Sequence, residues 1–130
     1  MKKPWLILAS LVTLIFIFSL SFSQYGQKEN QPDPKAELAK SIEGGKALFN
    51  DKSLGTSGQT CNTCHPNGGN FDDLGCKYPK YWGMAKKVMT LSQVVNWCIV
   101  NPLKGKALAW DDQKLTDLTA YCASVKPSKK

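Results

Sequence analysis

Two thiols and an imidazole fall within five residues of one another: Cys61, Cys64 and His65, in the stretch GQTCNTCHPNGG. His65 is the only histidine in the 130-residue chain. Thiols at this spacing can add across the two vinyl groups of one porphyrin as thioethers. A histidine directly after the second thiol then lies within reach of the iron, and Cys-x-x-Cys-His is for that reason the attachment pattern of c-type haem. The expected chemistry is one covalently bound haem c, with Cys61 and Cys64 as thioether donors and His65 as the proximal iron ligand.

Three other uses compete for these residues. A zinc site needs four ligands, and Cys76 would have to join Cys61, Cys64 and His65; the chain has no second paired knuckle. A thioredoxin-like redox pair needs a preceding strand and alternating β and α elements, a pattern this sequence does not show. Structural disulfides leave the position of the lone histidine without a reason.

The N-terminus bears on the same question. Lys2 and Lys3 precede an apolar run from Trp5 to Phe18, and SLSFSQ follows with small residues at Ser21 and Ser23. That order reads as a secretory signal peptide over residues 1–23, with an uncleaved membrane anchor as the alternative. Either way the folded part is expected outside the cytoplasm, in the periplasm or an equivalent compartment. The chain carries 17 lysines and no arginine against 10 acids, a net charge of +7 that falls to +5 when Lys2 and Lys3 leave with the leader. Such a surface suits acidic redox proteins. Nucleic acid is not expected as a partner, since no arginine is present to read base edges or clamp phosphates. Membrane contact is expected only if the leader stays attached.

The remaining elements must position the motif. Residues 24–35, QYGQKENQPDPK, are polar with two prolines and read as a flexible tether. The domain is then expected over residues 36–127. In AELAKSIEGGKALFND, Leu38, Ile42, Gly45 and Phe49 recur at helical spacing, and a glycine at 45 fits a close helix crossing. Thr90 caps a second helix with Leu91, Val94, Val95 and Cys98 on its apolar face, ended by Pro102. Asp111 or Asp112 caps a third, lined by Leu115, Leu118, Cys122 and Val125. Between the first and second lies an irregular stretch rich in Gly, Ser, Asn and Asp. No strand pattern of consequence appears, so the fold class expected is all-α, with three main helices around the haem. Three short helices bury little apolar surface alone, and a porphyrin would supply the missing body.

GGKALF, CNTCH and LTDLTAYCASV, in that order, resemble class I cytochrome c. The resemblance implies that the first and last helices cross beside the haem edge, with Gly45, Phe49 and Tyr121 at the contact. The segment YPKYWGMAKKVMTLSQVVNWCIVNPLKGKALAWDDQKLTDLTAY is similar to the haem domains of thiosulfate dehydrogenase and of sulfur-oxidation cytochromes. In several of those a cysteine on the middle helix is the distal iron ligand, which implies that role for Cys98. Met84 and Met89 are the alternatives, thioether sulfur being the usual distal donor in the wider family. Lys86 and Lys87 would ligate only if deprotonated. With Cys98 on iron, Cys76 and Cys122 remain as one disulfide; pairing Cys98 with either would return the iron to methionine.

A single-haem electron carrier is the function expected, rather than an enzyme. Lys77, Lys80, Lys86, Lys87, Lys104 and Lys106 flank the haem-bearing segment and are candidates for steering an acidic partner. The alternatives are haem-based catalysis or small-ligand binding in sulfur or nitrogen oxide metabolism, or a haem subunit of a larger redox complex.

Overall fold

Asp33 opens the first helix by accepting a hydrogen bond from the Lys35 amide at 3.1 Å, and Pro34 follows at a position where its missing N–H costs nothing. In this computed structural model, residues 32–69, 71 and 77–126 are described. The leader, residues 24–31 of the expected tether and Cys76 lie outside the described residues, and the last two tether residues, Pro34 and Lys35, already belong to the first helix. The described elements belong to one unit, Asp33–Lys130.

In chain order these are α1 (Pro34–Phe49), a 3₁₀ turn (Lys52–Leu54), the one-turn helix α2 (Cys61–Cys64) and a second 3₁₀ turn (Pro66–Gly68). The strands β1 (Lys80–Trp82) and β2 (Lys87–Met89) follow, then α3 (Leu91–Val100) and α4 (Gln113–Ser124). The all-α, three-helix expectation is thus corrected to a mostly helical domain with four described helices and a small antiparallel hairpin. β1 and β2 pair Lys80 with Met89, Tyr81 with Val88 and Trp82 with Lys87. Three-residue strands are too short to announce themselves by alternation. The Gly83–Lys86 turn between them holds Lys86 at a φ of +53°.

The long helices fall where their caps place them. Thr90 and Gln93 form a reciprocal capping box on α3, and Asp112, not Asp111, caps α4 through the Lys114 amide. α1 crosses α4 at Gly45, with Ser41 Oγ donating to Asp117 Oδ1 at 2.6 Å one turn earlier. Leu38, expected on the inner face of α1, is exposed, because the packed face starts only at the Ser41 turn. The core is Phe49, Leu91, Val95, Ile99, Leu103, Leu115, Leu118 and Cys122. Ile99 takes the innermost place on α3, while Cys98 beside it is half-buried.

The loop before the motif is clipped to the loop after α3. Ser57 N donates to the Leu103 carbonyl at 3.1 Å, and Thr56 Oγ1 to that of Lys104 at 3.0 Å. Asn96 on α3 bonds both the amide and the carbonyl of Leu108, at 2.8 and 2.9 Å. These contacts fix α2 relative to α3 without a continuous sheet. Among the described residues no helix is long and apolar enough to cross a membrane.

Candidate functional site

α2 is a single turn, and a helix this short does not hold itself by propagation. Its ends are tied instead. Thr60, buried to 8% exposure, accepts from the Thr63 amide at 3.2 Å while Thr63 Oγ1 accepts from the Thr60 amide at 3.1 Å. At the other end the His65 amide donates to the Cys61 carbonyl at 2.9 Å. Asn62 Oδ1 then accepts from the Asn67 amide at 2.7 Å, and Gly68, at φ +72°, tucks the chain against Val125 beyond α4. A Cβ at Gly68 would stand 2.7 Å from Val125 Cγ1, so the loop after His65 is seated on the end of the last helix.

Cys61, Cys64 and His65 all line one cleft, together with Cys98 from α3 and Cys122 from α4. Apart from Thr60 and Lys80, the walls are otherwise apolar and aromatic: Phe49, Phe71, Tyr78, Trp82 and the aliphatic faces of α3 and α4. The cleft encloses about 210 Å³ and is open to solvent on one side. The His65 ring lies 4.7 Å from that of Phe71, Phe71 sits edge-on to Phe49 at 5.8 Å, and Phe49 meets Tyr121 at 5.1 Å. The imidazole is thereby linked through aromatic contacts to the α1–α4 crossing, where Gly45, Phe49 and Tyr121 meet.

His65 Nδ1 is buried with no hydrogen-bond partner, and so is Trp82 Nε1. Native interiors rarely leave such groups unsatisfied. Two thiols, an imidazole and an open apolar cleft fit haem c, whose porphyrin would lie against these walls. A lone metal ion fits less well: among the described residues no three His, Cys, Asp or Glu side chains are grouped closely enough to hold one.

The thiols share an environment. Burial, then the field of Cys98, pushes Cys61 up to about 11. Cys122 is pushed up to about 12 by burial, then by Cys61 and Cys98. Burial raises Cys98 as well, with Cys64 adding to it. Each is a neutral thiol at pH 7 in this setting, and a nearby cationic metal would be needed to hold Cys98 as thiolate.

Of the distal-ligand alternatives, Cys98 and Met84 line the cleft, Met84 from the exposed hairpin turn. Met89 is 4% exposed and does not line it. Cys122 is a free, buried thiol, and the Cys76 with which counting sulfurs would pair it lies outside the described residues. Reading the sequence missed Phe71, Tyr78, Lys80 and Trp82 as cleft residues. Aromatics in an irregular stretch carry no periodicity, and only their density near the motif hinted at a ligand wall.

Comparison with known proteins bears on the same residues. The model of the SoxA/TsdA cytochrome c domain matches residues 44–127, from the first glycine pair to just beyond the last helix. The L-cysteine S-thiosulfotransferase subunit SoxA of Rhodovulum sulfidophilum is 33% identical over 88 residues, covering 65% of this chain and 29% of its own. The thiosulfate dehydrogenase of Allochromatium vinosum is 28% identical over 103 residues, covering 68% of this chain and 38% of its own. The chain therefore spans well under half the length of either relative.

Proposed function

The chain belongs to the SoxA/TsdA cytochrome c domain family and so binds haem c, and on that premise we propose that it is an exported, single-haem electron-transfer protein of the class I arrangement. Cys61 and Cys64 would form the two thioethers, and His65 would ligate the iron. When bound, haem supplies a one-electron couple, which the protein tunes through ligands, burial and neighbouring charge.

The chain's own residues have three tasks in this reading. The Thr60–Thr63 box and the His65 amide bond hold both thiols and the imidazole on one short turn. Phe71 packs on the imidazole and is itself backed by Phe49, limiting the rotation of the ring. The apolar faces of α3 and α4 exclude water from the cleft. Cys98 is proposed as the distal ligand, with Met84 as the alternative that also lines the cleft; thiolate donation would favour ferric iron and lower the potential.

The observation that carries this reading is the convergence of Cys61, Cys64, His65 and Cys98 on one apolar cleft. Optical spectroscopy with potentiometric titration of the purified protein tests it. A c-type spectrum with a single redox wave is expected; more than one wave, or none, would count against a single-haem carrier. Lys77, Lys86, Lys87, Lys104 and Lys106 are exposed and favour acidic partners, so the partner reaction should slow as salt rises.

The names of the two relatives favour a second reading, a haem-bearing component in thiosulfate chemistry or in a larger redox complex. Thiosulfate or carbon monoxide changing the spectrum of the purified protein would support it over simple electron transfer.

A further inference from the structure

β1 runs along the cleft, and its alternation sorts its side chains. Lys80 and Trp82 line the cleft, while Tyr81 between them is 63% exposed. Lys80 is the one lysine on the cleft wall, and no carboxylate lines it among the described residues. The Lys80 ammonium is held between two rings, 4.8 Å from the centroid of Tyr78 and 5.8 Å from that of Trp82. Aromatic faces steady a cation but do not neutralise it. Trp82 Nε1 is buried and donates to nothing.

A held ammonium and an idle indole N–H, two residues apart on one strand face, are complementary to an oxyanion. From this we infer that Lys80 and Trp82 form a carboxylate-binding cradle on the cleft wall, and that its occupant is a propionate of the bound haem. The inference rests on the haem-binding reading. Haem brings two propionate carboxylates into a cleft whose walls otherwise offer little to them. Lys80 supplies the counter-charge and the Trp82 N–H a directed hydrogen bond. Tyr78, packed on the Lys80 ammonium, is a positioning residue. The same pair could in principle take a free oxyanion such as thiosulfate, and the experiment separates the two sources.

The test uses the holoprotein, with covalent haem verified by mass in every variant: Lys80→Gln, Trp82→Phe and, as a charge control, the exposed Lys40→Gln on α1. The resonance Raman band for propionate bending and the midpoint potential at fixed pH are recorded. The band is expected to shift in Lys80→Gln and Trp82→Phe but not in Lys40→Gln. The potential should fall in Lys80→Gln, because an uncompensated carboxylate stabilises ferric iron. Titrating wild-type protein with sodium thiosulfate should leave the visible spectrum unchanged. Haem-loaded variants that superimpose on wild type in band and potential would overturn the cradle while leaving haem binding intact. A saturable thiosulfate response, lost in Lys80→Gln, would overturn propionate occupancy and assign the site to a free oxyanion. Wild-type protein without covalent haem would bring down the haem-binding reading and this inference together.

Discussion

Gly45 lies against Asp117 so closely that a Cβ built on it would stand 2.0 Å from the Asp117 carbonyl oxygen, and 2.8 Å from Tyr121 Cβ. The obstacle is backbone, so no rotamer change relieves it. α1 and α4 can approach to this distance only at a residue without a side chain, and the approach brings Phe49 onto Tyr121. Gly45→Ala should cost about 3 kcal/mol or more, the upper end of the range for overpacking. Gly83→Ala is the contrast, because a Cβ there meets nothing within 4 Å. Urea unfolding of both variants would show the first midpoint displaced strongly and the second nearly unchanged.

The attachment turn depends on its cap. Thr60→Val keeps the shape and volume but removes the hydroxyl acceptor of the Thr63 amide, leaving it only the Thr60 carbonyl at 3.1 Å. Loss of an N-cap bond costs about 1 kcal/mol, and here the affected turn carries both thiols. The expected outcome is a lower yield of fully attached haem, read by intact mass. Unchanged yield would mean that the turn is organised by haem itself.

Cys98, Met84 and Met89 separate by where they sit. Replacing Cys98 with alanine should change the ferric spectrum and raise the midpoint potential. Met89→Ala should leave the spectrum alone and cost about 2–5 kcal/mol in stability, as expected for a core methionine that does not reach the cleft. A spectrum altered by Met84→Ala and indifferent to Cys98→Ala would move the distal role to Met84.

Cys122 gives a pH signature. Its thiol is held up to about 12 by burial first, against an ordinary 9.0 in the unfolded chain. The folded state keeps a proton that the unfolded state releases. Its contribution to stability is therefore complete below pH 9 and is lost as pH rises from 9 towards 12, by at most about 1.4 kcal/mol per unit. Cys122→Ala removes this dependence. The variant should be less stable than wild type at pH 8, through lost packing, and the gap should narrow by pH 11. A gap that stays constant across that range would contradict the buried neutral thiol.

Caps and the motif were the legible part of the sequence. Thr90 and the acidic pair before α4 announced their helices, because a side chain bonding its own backbone is a local event. Gly45 and Phe49 were readable as a crossing from the resemblance to class I cytochrome c. Leu38 misled, since helical spacing cannot tell where the partner helix ends. The hairpin escaped because Lys80–Trp82 and Lys87–Met89 are held by each other and by the cleft, not by their own pattern. Lys80 and Trp82 were invisible as a pair for the same reason. Only the strand alternation, once seen, puts both on the cleft wall.

The central claim is that Cys61 and Cys64 carry haem covalently, and intact-mass analysis of the purified protein with haem-stained denaturing gels measures this most directly. Wild-type protein should gain the mass of one haem and keep the stain after denaturation, and Cys61→Ala with Cys64→Ala should lose both. Unmodified polypeptide, or pigment that leaves the chain on denaturation, would contradict it.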